Sequence, residues 1–138
     1  MVTFSVKNGM AIKKEQRDDS IAGMFACLMH SSTVTQIMHR QTGSYAVHVA
    51  LGEYYEGIVP LIDKLAEAYQ GRNQVIIGGY PLPENNWEGK EPLDYMMYVR
   101  DEMAEYRGLL GDDSTLQNIA DEIVSLVYST MYKLRFLK

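Results

Sequence analysis

One stretch of the sequence carries residues that could hold a metal ion. His48 is followed along a predicted helix by Glu56, Asp63 and Glu67. At 100° per residue the three carboxylates share one side of that helix, and Asp63 and Glu67, four residues apart, can reach one cation. Oxygen ligands with an imidazole suit Fe, Mn or Zn rather than a thiolate site. A solvated acidic face, with His48 as an ordinary surface residue, fits the same spacing, so both interpretations stay open.

The remaining histidines and the single cysteine carry weaker signals. His39 lies near the end of the preceding predicted helix, where a protonated ring would also serve as a capping cation. His30 is mid-helix and fits a packed or surface residue, and Cys27 lies in an apolar run typical of a buried, inert thiol. The chain has no Glu-x-x-His, Cys-x-x-Cys, P-loop or G-x-G-x-x-G motif. We therefore assign no catalytic residue from sequence.

Four helices are predicted to position these residues. Apolar side chains repeat at spacings of three and four over 19–40, 45–69, 92–110 and 114–135. Gly43 marks a short turn between the first two helices, Pro60 predicts a kink in the second, and Gly71 is predicted to end it. The long segment 71–91 is predicted to be an irregular crossover. The predicted fold class is all-α, an antiparallel four-helix bundle with this long connection after its second helix.

Composition limits the class of protein further. The chain has 138 residues, which suits one domain with one core, preceded by an N-terminal arm over 1–17. A single cysteine excludes a disulfide framework within the chain and fits a reducing compartment. The N-terminus lacks the pattern of a signal peptide, and no apolar run reaches membrane-spanning length. We expect a cytoplasmic protein that is not in a membrane.

The turn and the second helix resemble the Dps family of mini-ferritins. The run from His39 to His48, His-Arg-Gln-Thr-Gly-Ser-Tyr-Ala-Val-His, resembles the corner where one histidine ends the family's first helix and another opens the second. Asp63 and Glu67 then follow His48 at the spacing of the family's H-x14-D-x3-E pattern, without a gap. These motifs cover about a quarter of the chain.

The resemblance implies a ferritin-like bundle with a ferroxidase centre between two subunits. One subunit would contribute His39 and His48, the other Asp63 and Glu67, and a cage of identical subunits would enclose an iron mineral. Iron, or another divalent metal, is the expected ligand. The sequence departs from the family pattern in four ways: a histidine spacing three residues shorter, Arg40 in place of a tryptophan, Gly52 in place of an acidic residue, and Pro60 within the helix.

Two functions are therefore expected as alternatives. The first is a Dps-like protein that stores or detoxifies iron by binding and oxidising it; the second is a non-catalytic ferritin-like structural or interaction protein with a degenerate metal site. We expect a homo-oligomer, with Trp87 and the apolar run 75–77 as candidate contacts. No small-molecule substrate can be identified. Duplex DNA binding is not expected, because the net charge is −5 and acidic residues accompany the basic residues of the arm.

Overall fold

The computed structural model describes residues 20–83, 85 and 87–138 and is helical in all of its regular segments. The four helices are α1 (Ile21–Gln41), α2 (Tyr45–Asn73), α3 (Pro92–Tyr106) and α4 (Ser114–Phe136). A short 3-10 helix, Arg107–Leu110, extends α3, where the sequence predicted one continuous helix to 110. The all-α prediction is confirmed. The predicted N-terminal arm lies outside the described residues.

Side-chain caps fix where three of the helices begin. Ser20 accepts a hydrogen bond from the backbone N–H of Gly23 at 3.0 Å, Ser44 accepts one from Val47 at 3.2 Å, and Asp113 accepts one from Leu116 at 3.1 Å. Each bond satisfies a donor that the first turn of a helix leaves unpaired. These caps are local sequence signals, which is why the predicted helix starts lie within two residues of the observed ones.

The predicted end of α2 at Gly71 is wrong. The helix continues to Asn73, and Gln74 takes the left-handed backbone conformation with φ 56°. Gln70 holds this end, because its backbone carbonyl accepts from the N–H of Gln74 and Val75 and its side-chain oxygen accepts from the N–H of Ile77 at 2.9 Å. Among the described residues of the crossover, none forms a strand.

The segment Ser31–Thr35 contains poor helix-forming residues, yet α1 is continuous through it. The Ser31 hydroxyl donates to the backbone carbonyl of Leu28 at 2.6 Å, and the Thr35 hydroxyl donates to that of Ser31 at 2.7 Å. These small side chains are buried because they face another helix of the bundle.

The helices form a ring in which α1 packs on α2, α2 on α4, α4 on α3, and α3 on α1. Three ion pairs show that α2 and α4 are antiparallel, since they join the start, middle and end of α2 to the end, middle and start of α4: Glu53–Lys133, Lys64–Glu122 and Arg72–Asp113. Short connections make α1–α2 and α3–α4 antiparallel as well. The order is therefore up, down, down, up, with α2 and α3 parallel.

The core is apolar and filled from all four helices. Its largest fully buried side chains are Tyr54, Tyr95, Phe25, Met24, Leu28, Leu51, Ile58, Leu65, Met96, Met103, Leu116 and Ile123. The predicted contact residue Trp87 is partly buried and packs against this core, as does Ile77, whereas Ile76 is 84% exposed. Cys27 is also partly buried against the core rather than fully enclosed. No described helix is long and apolar enough to span a membrane.

Candidate metal site

A tight turn brings the two histidines of the predicted site together. Only residues 42–44 separate α1 from α2. The Thr42 N–H donates to the carbonyl of Met38, and the Thr42 hydroxyl accepts from the N–H of Ser44 at 3.1 Å. The chain therefore reverses within three residues. His39, in the last turn of α1, and His48, in the first turn of α2, come to lie side by side.

The two imidazole rings are stacked, and each ring is hydrogen-bonded to the backbone carbonyl of the other histidine. Their centroids are 3.6 Å apart with an angle of 19° between the planes. Nδ1 of His39 lies 2.6 Å from the carbonyl oxygen of His48, and Nδ1 of His48 lies 2.8 Å from the carbonyl oxygen of His39. Because a carbonyl oxygen only accepts, both Nδ1 atoms must carry the hydrogen. Each ring, when neutral, then has its lone pair on Nε2.

Aromatic neighbours surround this histidine pair. The Tyr55 ring meets His39 edge-on with centroids 5.3 Å apart, and the Tyr45 ring lies 6.3 Å from that of His48. Both histidines are partly buried. His39, in the last turn of α1, donates to the carbonyl of His48, and His48 is partly buried beside it.

Gly52 gives the His39 ring its space. A methyl group at position 52 would lie 3.1 Å from Cε1 and 3.3 Å from Nδ1 of His39. Gly52 stands one turn after His48, where the mini-ferritin pattern has an acidic residue. The departure at this position has a physical reason here, since a larger side chain would collide with the ring of the histidine pair.

The acidic residues of the predicted site lie elsewhere on α2. Glu56, Asp63 and Glu67 are all exposed, on the side of the helix that faces away from the bundle. At about 1.5 Å of rise per residue, Asp63 is about 22 Å along the helix from His48. In the part of the chain that the structure describes, no group of three or more potential ligands converges on one point. The two halves of the predicted site are thus apart within one chain, and their meeting across two subunits stays a prediction.

The interior of the bundle offers a different environment. Among the described residues, the fully buried polar side chains are hydroxyl-bearing serines and threonines, together with the core tyrosines. Tyr54 bonds Ser31 at 2.7 Å, and burial raises the pKa values of Tyr54 and Tyr95 well above their ordinary value, with Cys27 adding to both shifts. The three carboxylates of the predicted site are exposed, its two histidines are partly buried, and Nε2 of His30 is buried.

Sequence reasoning missed the reciprocal bonds of the histidine pair and the role of Gly52. Both depend on how closely α1 approaches α2, which no local motif encodes. A partial signal was present, because a histidine in the last turn of one helix and another in the first turn of the next lie on neighbouring turns when only three residues separate the helices. Arg40, the other departure in this region, is exposed and donates to the carbonyl of Gln36 in its own helix at 3.3 Å.

Fold and site together define an all-helical bundle that carries a locked histidine pair at one end and an acidic outer face along α2. The chain belongs to a family of unknown function, DUF5856, whose sequence pattern matches residues 39–134. The match extends from His39 to the last turns of α4 and so contains the histidine pair and all three acidic residues. No curated protein and no solved structure matches the chain.

Proposed function

We propose that this protein is a Dps-like member of the ferritin-like class that binds Fe(II) as substrate between two copies of the chain and oxidises it. His39 and His48 of one copy, with Asp63 and Glu67 of the other, form the binding site. The up-down-down-up order of the helices supports a ferritin-like bundle. The resemblance of the turn and of α2 to mini-ferritins is the reason for proposing iron as the metal.

The observation that carries the proposal is the pair of reciprocal hydrogen bonds between the two histidines. Histidines that bind metals almost always donate their second ring N–H to a carbonyl or carboxylate, which fixes the tautomer and the orientation of the ring. His39 and His48 both have this arrangement, each with the other's backbone as the acceptor. In each neutral ring Nε2 then carries the lone pair that would bind a metal ion, and the orientation of the ring is already fixed.

The donor set suits Fe(II). Imidazole nitrogen and carboxylate oxygen together favour iron, manganese or zinc over soft metals. The rings hold the ion in a fixed position, and the carboxylates of the second copy offset its charge. Coordination positions left to water allow oxygen or peroxide to approach. Two ferrous ions give one electron each to a peroxide, which takes up two protons and leaves as two waters.

A second function, metal binding without oxidation, is favoured by one observation. The ring of His39 occupies the space at Gly52 where the mini-ferritin pattern has its further carboxylate. With fewer anionic ligands the ferric state gains less stabilisation, so a site of this composition can retain a divalent ion and fail to oxidise it. The sequence left open a further alternative, a non-catalytic ferritin-like structural or interaction protein with a degenerate metal site.

The test is to add Fe(II) under air and follow ferric absorbance, in parallel with Fe(II) binding under anaerobic conditions. We expect oxidation faster than in buffer, and its loss in both His39→Ala and His48→Ala. His30→Gln, in the middle of α1, is the matched histidine control and keeps the wild-type rate. Anaerobic binding without oxidation selects the second function. If the protein neither binds nor oxidises Fe(II), the proposed site is wrong.

A further inference from the structure

We propose that the boundary between α1 and α3 is a docking groove for residues 1–19 of the same chain. The basic side chains of this segment bind the acidic end of α3, and its apolar side chains cover an uncharged side of α1. The inference is independent of the iron chemistry, because the groove contains none of the residues proposed to bind Fe(II).

Contacts with α4 show which side of α3 faces α1. Arg107 and Met97, on one side of α3, contact residues of α4. Helical spacing places Tyr98, Glu102 and Glu105 on the other side. Because α3 packs on both α4 and α1, these three side chains lie toward α1 and form one wall of the groove.

The α3 wall is acidic beside the start of α1. Glu105 is exposed and Glu102 is partly buried, and the last turn of α3 has no basic residue. We call these two glutamates the acidic patch. Because α1 and α3 run in opposite directions, the patch lies beside the first turns of α1. The carboxyl end of a helix adds a partial negative charge, so the acidic patch favours a cationic partner.

The α1 wall is uncharged. Between Ile21 and Met38 the helix has no aspartate, glutamate, lysine or arginine. Cys27 and His30 are partly buried, and Met29 is 51% exposed. A helix with one side in water usually has charged residues on that side. This side of α1 therefore suits contact with another segment of protein.

The same side of α1 is covered at its first turn. Ala22 is 4% exposed and Gly23 is buried, although they lie two turns before Met29 and His30 on the same sides of the helix. The uncharged side is thus enclosed at its start and more open further along. The chain enters α1 at the enclosed end, so residues 1–19 join the helix directly beside the groove.

Residues 1–19 match the groove in charge and in order. Lys13, Lys14 and Arg17 lie within seven residues of Ser20, the cap of α1. Seven extended residues span up to about 25 Å, so these cations can reach the acidic patch on the neighbouring helix. The apolar residues of the segment lie further from α1 in sequence, where they can reach its uncharged side: Val2, Phe4, Val6, Met10 and Ile12.

Length and tethering favour this segment over a separate partner. The 21 residues of α1 make it about 31 Å long, whereas 19 extended residues span up to about 65 Å. The segment can therefore reverse at the start of α1 and follow the groove over its whole length. A short tether also gives an effective concentration on the order of millimolar, which a second protein in solution does not reach at micromolar concentration.

Zero-length cross-linking of the wild-type chain tests the placement. A carbodiimide joins an amine to a carboxylate in direct contact, and the ion pair Lys64–Glu122 at 3.1 Å is the internal control. We expect Lys13 or Lys14 to be linked to the acidic patch within one chain, which mixing with isotope-labelled protein distinguishes from links between chains. Links from these lysines only to other carboxylates or only between chains would overturn the proposal. So would their absence while Lys64–Glu122 forms.

Trypsin tests the contribution of charge, because a segment bound to the bundle is cleaved only when it detaches. The double variant Glu102→Gln with Glu105→Gln should be cleaved within residues 1–19 several-fold faster than wild type at low salt. Glu56→Gln with Glu67→Gln removes the same charge from the exposed side of α2 and should keep the wild-type rate. Equal rates in all three proteins would contradict binding to the acidic patch.

A second pair of variants tests the apolar contact. Phe4 is the largest apolar side chain of the segment, and Phe4→Ala should also accelerate this cleavage several-fold because less apolar surface is buried. Leu82→Ala, at a position that is 89% exposed on the crossover, is the control and should not. An unchanged rate in Phe4→Ala would overturn the apolar part of the groove. Wild-type cleavage as fast as that of a free peptide of residues 1–19 would overturn the whole proposal.

Discussion

A methyl group at Gly52 would lie 3.1 Å from Cε1 of His39, closer than an ordinary van der Waals contact, so the ring of the histidine pair packs tightly on the backbone of α2. Gly52→Ala should move the His39 ring and weaken its bond to the carbonyl of His48. Helix propensity gives alanine an advantage of about 1 kcal/mol at such a position, which offsets much of the steric cost.

For Gly52→Ala we therefore expect nearly unchanged thermal stability together with Fe(II) binding weakened about tenfold. Calorimetric titration under anaerobic conditions measures the second quantity. Gly108→Ala is the control, because a methyl group there meets no atom within 4 Å. Wild-type affinity in Gly52→Ala would mean that the position of the His39 ring does not matter for binding.

The buried hydroxyl pair of Ser31 and Tyr54 should show strong coupling. Ser31 donates its one hydrogen to the carbonyl of Leu28, so Tyr54 is the donor to Ser31 at 2.7 Å. Ser31→Ala leaves the phenolic hydroxyl without this acceptor and should cost about 1–3 kcal/mol. Adding Tyr54→Phe should recover much of that loss. Urea unfolding of the two single variants and the double variant gives the coupling, and simple additivity would show that this hydrogen bond does not contribute to stability.

Alkaline pH should destabilise the fold through two tyrosines. Burial raises the pKa values of Tyr54 and Tyr95 above the value of 10.0 that tyrosine has in an unfolded chain. Below pH 10 both states keep the proton and stability is unaffected. Above pH 10 the unfolded chain loses protons that the folded chain keeps, so unfolding becomes more favourable as pH rises. The free energy of unfolding should fall between about pH 10 and 12, and less steeply in Tyr54→Phe. Equal slopes in the two proteins would show that Tyr54 does not contribute.

Duplex DNA should not be retained by this protein at about 150 mM salt. The net charge of −5 per chain accumulates in any oligomer and repels a polyanion, and each phosphate contact is weakened by salt. A gel-shift experiment with plasmid and micromolar protein checks this expectation. A retarded band would contradict it, and removing residues 1–17 would then test whether the basic residues of that segment are responsible.

Much of the fold could be predicted because its signals are local. Ser44 and Asp113 cap helices that begin where the apolar spacing predicted, and the apolar spacing of α2 matches its buried face. The predicted end of α2 was wrong because Gln70, not Gly71, binds the last backbone groups. The burial of Ser31 and Thr35 within a helix is explained by the packing of α2 on α1, which no local pattern predicts.

The candidate site, too, could be predicted from the sequence only in part. The apolar spacing correctly predicted that His48, Asp63 and Glu67 lie on one helix. The lock between His39 and His48 could not be predicted, because it depends on two backbone carbonyls that come into reach only after the turn folds. The structure of one chain cannot show a site that is shared between copies. An experiment that tests such a site must therefore combine two different variants of the chain.

If one iron site takes its ligands from two chains, two different inactive variants should restore activity when their subunits are mixed. His48→Ala and the double variant Asp63→Asn with Glu67→Gln should each be inactive in Fe(II) oxidation. When they are dissociated, mixed equally and reassociated, half of the dimers are hybrids with one intact site of two. The mixture should therefore recover about a quarter of the wild-type rate. A mixture as inactive as its parents, beside an active wild type, would contradict a site shared between subunits.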